Sequence, residues 1–70
     1  MWTLIIGGIS GQQFSITRDD AARLYADWKR TGAPQTMGRA DRLVILLESA
    51  HAQIVGPAMM QPSEALALIA

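Results

Sequence analysis

Charge is confined to one stretch of this 70-residue chain. Ten of the twelve charged residues fall between Arg18 and Arg42, and the flanks 1–17 and 43–70 carry only Glu48 and Glu64. A water-exposed surface is normally rich in charges of both signs. Flanks this apolar must therefore be largely covered, either by the chain itself or by another molecule.

The length predicts a single small domain over 1–70. A domain of this size buries only about 60% of the surface of its extended chain, so a lone monomer is marginally stable. Disulfides or a structural metal often compensate, but the chain has no cysteine and one histidine, His51. Self-association remains as the stabilising device, and we expect a homodimer.

The period of the apolar residues changes at Thr17. Phe14 and Ile16 alternate with polar neighbours, as in a strand, and the following apolar residues have helical spacing. These residues predict an amphipathic helix over 18–31 that begins at a Thr17 cap and ends at Gly32. Its apolar stripe consists of Ala21, Leu24, Tyr25 and Trp28.

The segment before the helix reads as a β-hairpin over 2–16. Trp2 to Ile6 is rich in β-forming residues, and a glycine-rich turn leads into the strand Gln12 to Ile16. After the helix, the segment 32–41 contains Pro34 and no periodic apolar pattern, so it is predicted to be a loop.

The segment 43–55 fits two structures. It forms an acceptable apolar helical stripe, which would make the chain mostly helical after its N-terminal hairpin. It also fits two strands, which we favour because of Val44 and Ile45 and because an isolated two-stranded hairpin is too small a sheet to be stable. The C-terminal segment 57–70 holds either a last short strand or a short helix capped by Ser63.

These elements predict an α+β fold, ββαββ with a possible fifth short strand, in which one amphipathic helix packs on one face of a small antiparallel sheet. Leu43, Ile45 and Leu47 point to one face, so Val44 and Leu46 must point to the other. One helix cannot cover both faces, and we expect a second copy to cover the remaining one. The predicted dimer interface consists of Ile5, Val44, Leu46, Met59 and Met60.

The residues that carry chemistry are few and scattered. The turn glycines Gly7, Gly8 and Gly11 lack the spacing of a dinucleotide-binding loop and the lysine of a P-loop. His51 stands alone, and neither a His/Cys cluster nor an oxygen-rich loop suggests a metal site. We therefore expect no enzyme activity, no metal and no cofactor.

Net charge is zero with a pI near 6.5, so nucleic acid is a disfavoured partner. The sequence instead predicts a non-catalytic, homodimeric protein-binding module that acts as an accessory or inhibitory factor. Its small size is similar to that of such factors carried by phages and mobile elements, and the analogy is based on size alone. The alternative is an oligomer that sequesters a nucleotide or another small anion through Arg39 and Arg42. The predicted partner-binding residues are Arg23, Lys29, Arg30, Arg39 and Arg42.

The apolar runs are short. The stretch from Met1 to Ile9 has no basic residues before it and no cleavage site suited to a signal peptide, and no run approaches the roughly 20 residues of a membrane span. With the absence of cysteine, these features favour a cytoplasmic protein that does not enter membranes.

Overall fold

The computed structural model describes residues 1–8 and 10–70; Ile9, in the predicted glycine-rich turn, lies outside the described residues. In this part of the chain five antiparallel strands form one sheet in the order β2-β1-β5-β4-β3. Two helices accompany the sheet, which confirms the predicted α+β class. The elements are β1 (Trp2–Ile6), β2 (Gln12–Ile16), α1 (Arg18–Thr31), β3 (Gln35–Arg39), β4 (Arg42–Leu47), β5 (Ala52–Val55) and α2 (Pro62–Ile69), with a 3₁₀ turn at Glu48–Ala50.

Helix α1 has the predicted ends. The Thr17 hydroxyl accepts a hydrogen bond from the backbone N–H of Asp20 at 3.1 Å, which satisfies one of the free donors of the first turn. At the other end the N–H of Gly32 donates to the carbonyl of Trp28 at 2.8 Å. Polar contacts thus fix the helix at both ends.

The hydrophobic core lies between the two helices and one face of the sheet. Ile45 of β4 and Ile54 of β5 are direct neighbours across the sheet and are fully buried. Because α1 and α2 lie on the same face, the opposite face of the sheet has no helical cover from the described residues. The buried side chains of this core are those of Trp2, Ala21, Tyr25, Trp28, Leu43, Ile45, Leu47, Ala52, Ile54, Ala65 and Ile69.

The segment 32–41, predicted to be a loop, contains the edge strand β3. Met37 pairs with Val44, and Arg39 pairs with Arg42 across a turn formed by Ala40 and Asp41. All five residues of β3 are exposed, so burial imposes no apolar alternation on its sequence. Backbone pairing with β4 holds the strand instead.

The segment 43–55 forms strands β4 and β5, which excludes the mostly helical alternative. A 3₁₀ turn connects them and ends at His51, whose φ of 48° is left-handed. Of the two structures predicted for the C-terminal segment, the short helix is present, so a second helix packs on the sheet beside α1. Its cap position is Gln61, because Pro62 occupies the first helical position, and the predicted Ser63 lies inside the helix.

Asp41 ties the β3–β4 turn to the segment that precedes α2. Its carboxylate accepts a hydrogen bond from the Met59 N–H at 3.0 Å, and its carbonyl accepts one from the Met60 N–H at 2.9 Å.

We expect Asp41→Ala to lower the free energy of unfolding by about 1 kcal/mol, because only the side-chain bond is lost. Urea unfolding measures this change, with Asp41→Asn, which keeps an acceptor oxygen, as the control. Equal losses in both variants would contradict this role for the side chain.

Candidate interaction surface

The face of the sheet opposite the helices, here called the open face, is built by strand alternation. The strand register aligns its side chains in two rows that cross the sheet from β2 to β3. The first row is Ser15, Thr3, Val55, Val44 and Met37. The second row is Gln13, Ile5, Gln53, Leu46 and Gln35.

An apolar band runs through the middle of the open face. Ile5, Val44, Leu46 and Val55 are only half-buried, and Met37 is 41% exposed. These five residues have polar neighbours in both rows, chiefly glutamine. An apolar centre with a polar rim is the usual composition of a protein–protein contact surface.

A shallow depression of about 370 Å³ lies at each end of the open face. The depression at the start of β4 is lined by Arg39, Ala40, Asp41, Arg42, Val44, Gln53 and Val55. The depression beyond the end of β4 is lined by Gly8, Leu46, Glu48, His51 and Gln53. The two depressions can therefore accommodate side chains of another molecule.

The two ends of the open face differ in charge. Arg39 and Arg42 lie directly opposite each other, an arrangement in which like charges repel. Among the residues that the structure describes, neither arginine has a carboxylate within salt-bridge distance. Asp41 is close by, but its carboxylate accepts the hydrogen bond from Met59. Glu48 supplies the negative charge at the opposite end.

The predicted dimer-interface residues fall into two groups. Ile5, Val44 and Leu46 share the open face, as the alternation predicted. Met59 and Met60 lie in the segment before α2: Met59 is 88% exposed, and Met60 packs against the hydrophobic core. Two members of the apolar band were not predicted. Met37 lies in the unpredicted strand, and Val55 could have been found from its alternation with buried Ile54.

The predicted basic surface is divided between the two sides of the sheet. Arg39 and Arg42 belong to the open face, whereas Arg23, Lys29 and Arg30 belong to α1 on the helical side. The structure therefore does not bring the five residues into one patch.

Charges on α1 are mostly satisfied within the helix. Arg23 pairs with Asp20, and Arg30 pairs with Asp27. The hydrogen bond from Arg23, helped by one from Thr17, lowers the pKa of Asp20 below its usual value. The Nζ atom of Lys29 lies 5.2 Å from the centre of the Tyr25 ring, within range of a cation–π contact.

The glycine-rich turn uses backbone donors internally. The N–H of Gly7 donates to the carbonyl of His51 at 2.9 Å, and that of Gly11 donates to Gly8 at 3.0 Å. These two donors are therefore not free to bind a phosphate. Within residues 1–8 and 10–70 the structure contains no group of three or more His, Cys, Asp or Glu side chains suited to a metal ion.

Comparison with known proteins finds no family model, curated protein or solved structure that matches this chain. Neither helix in the described part of the chain has the length and apolar character needed to cross a membrane.

Proposed function

We propose that this protein is a non-catalytic protein-binding module that self-associates through the open face. The observation that supports the proposal most directly is the position of both helices on one side of the sheet. This arrangement leaves Ile5, Val44, Leu46 and Val55 half-exposed on the other side. A second copy of the chain presents the same apolar band and covers all four residues at once.

The open face suits a small, reversible dimer. Five strands spaced about 4.8 Å apart, each with about 3.3 Å per residue, give a face of roughly 24 by 20 Å. Such a face is at the lower end of specific interfaces, which bury about 800 Å² per partner. We therefore expect a dissociation constant in the micromolar range, about −8 kcal/mol of binding free energy.

Light scattering coupled to size exclusion tests this proposal. The wild-type chain of 7.6 kDa should elute with twice that mass at concentrations above about 10 μM. Val44→Asp and Leu46→Lys should each produce a folded monomer, since they place a charge in the apolar band. Leu68→Lys is the matched control, because Leu68 is 43% exposed on α2, outside the open face. A monomeric wild type at 100 μM, or dimers in both open-face variants, would reject the proposal.

In such a dimer the α1 helices face outward and remain available to another protein. We propose that the module acts as an accessory or inhibitory factor, with Arg23, Lys29 and Arg30 as the contacts to that partner. Arg23→Glu with Arg30→Glu should remove a specific partner from affinity capture in the native cell while the dimer persists. A partner retained equally by this variant would reject α1 as the contact surface.

The opposed pair Arg39 and Arg42 supports a second candidate, an oligomer that sequesters a nucleotide or another small anion. Two guanidinium groups at one depression are suited to phosphate oxygens. ATP and inorganic phosphate at 100 times their dissociation constants would each add about 2.7 kcal/mol of stability. A melting temperature that neither ligand raises in the wild type rejects this candidate. A rise that persists in Arg39→Gln with Arg42→Gln places the anion elsewhere.

A further inference from the structure

Opposite charges mark the two ends of strand β4 on the open face. Arg42 begins the strand, with Arg39 beside it, and Glu48 follows its last residue. At about 3.3 Å per residue, the two ends are roughly 20 Å apart. The middle of the strand supplies the apolar side chains of Val44 and Leu46. One copy of the chain therefore presents a positive end, an apolar centre and a negative end in a line.

Only one of the two simple face-to-face arrangements matches these charges. A two-fold axis parallel to the strands keeps the strand direction, so Arg39 and Arg42 face the edge near Met1 and Thr17. The acids nearest that edge, Asp19 and Asp20, belong to α1 on the helical side and already pair with Arg18 and Arg23. A two-fold axis perpendicular to the strands reverses the strand direction. The arginine end of each copy then faces the Glu48 end of the other.

The geometry points to the second arrangement, a conclusion that rests on the proposed self-association. We propose that two copies stack their open faces with strands running in opposite directions, so that Arg39 and Arg42 of each copy bind the Glu48 carboxylate of the other. Val44 of one copy then lies over Leu46 of its partner. Since neither arginine pairs with a carboxylate among residues 1–8 and 10–70, a carboxylate of a second copy supplies the anion, and bidentate guanidinium–carboxylate pairs would fix the orientation.

A charge exchange tests this arrangement. In Glu48→Arg, and separately in Arg39→Glu with Arg42→Glu, each copy would meet like charges at both ends of the interface. Each variant alone should therefore dimerise at least ten times more weakly than wild type. When the two variants are mixed, every contact again joins opposite charges, and a heterodimer should form with near wild-type affinity. Native mass spectrometry distinguishes it, because the two chains differ in mass.

Asp27→Arg is the control for the change in net charge. It reverses an exposed acid on the helical side of the molecule and should leave the dimer intact. Circular dichroism checks that all variants are folded, which we expect because Arg39, Arg42 and Glu48 are exposed.

The outcomes separate this arrangement from the proposed function. If wild type dimerises and Val44→Asp dissociates it, but charge exchange has no effect, the arrangement is wrong and self-association through the open face stands. If both charge variants are monomeric but do not rescue each other, the arrangement is again wrong. A wild type that stays monomeric overturns both.

Discussion

We expect Gly11→Ala to destabilise the protein more than a change to alanine at any other glycine. A Cβ at this position would overlap the carbonyl oxygen of Ile6 and lie 2.6 Å from its carbonyl carbon. Both are backbone atoms at the end of β1, so no side-chain rotation relieves the clash. The hairpin must open or shift, and we expect a loss of about 3 kcal/mol or more in the free energy of unfolding. For a domain of this size the melting temperature would fall by roughly 10–20 °C.

Gly8→Ala is the matched control in the same turn. A Cβ on Gly8 would meet no atom within 4 Å, but its φ of +80° is unfavourable for alanine. We expect a loss of about 1 kcal/mol from this backbone strain alone. Thermal unfolding of the two variants should therefore differ by several degrees. Equal melting temperatures would show that backbone strain, and not the clash with Ile6, decides what the turn tolerates.

Sequence reasoning predicted the elements whose own residues carry a strong local signal. Helix α1 combines a cap at Thr17, a continuous apolar stripe and a glycine end, and these signals agree with one another. The strand assignment for 43–55 was correct: β4 and β5 show the alternating burial of a sheet, and the β-branched residues Val44 and Ile45 lie within β4. The open face followed from the same alternation.

Strand β3 could not be predicted from local pattern because it lies at the edge of the sheet and none of its residues is buried. The turn that leads to β4 also lacks a sequence signal. Ala40 has a φ of 57° there, a conformation at which glycine or asparagine is usual. Gly38 had a structural role that the sequence does not reveal. A Cβ there would lie 2.8 Å from the Pro62 side chain, so glycine allows α2 to approach the sheet.

The unpredicted strand β3 also explains why the five basic residues were assigned to one surface. Arg30 and Arg39 are close in the sequence and were assigned to one surface on the assumption that a loop joins them. Because that loop contains a strand, the sheet separates Arg39 from the helix. The position of β3 therefore decides which charges share a face, and local sequence did not reveal that strand.

Ile45→Ala is expected to be the most damaging truncation in the core. Ile45 is fully buried beneath the helices, next to the equally buried Ile54. Removing its side chain loses transfer free energy and leaves a cavity, which together cost about 2–5 kcal/mol. A domain of 70 residues has a total stability of only about 4–10 kcal/mol, so this variant should be partly unfolded at 37 °C. Chemical denaturation measures the loss, and Ile45→Val should cost only about 1 kcal/mol. A loss below 1 kcal/mol for alanine would contradict the assigned core.

Val44→Ala, one residue earlier on the same strand, connects stability to self-association. At submicromolar concentration the chain is expected to be monomeric, and truncating this half-exposed side chain should cost less than about 1 kcal/mol. At 100 μM the wild type gains stability from dimerisation, and the variant gains less, so the difference between them should grow with concentration. The loss caused by Ile45→Ala should change much less, since Ile45 lies on the face that the chain covers by itself. If both losses are independent of concentration, the open face contributes no association, and the apolar band must be tolerated in contact with water.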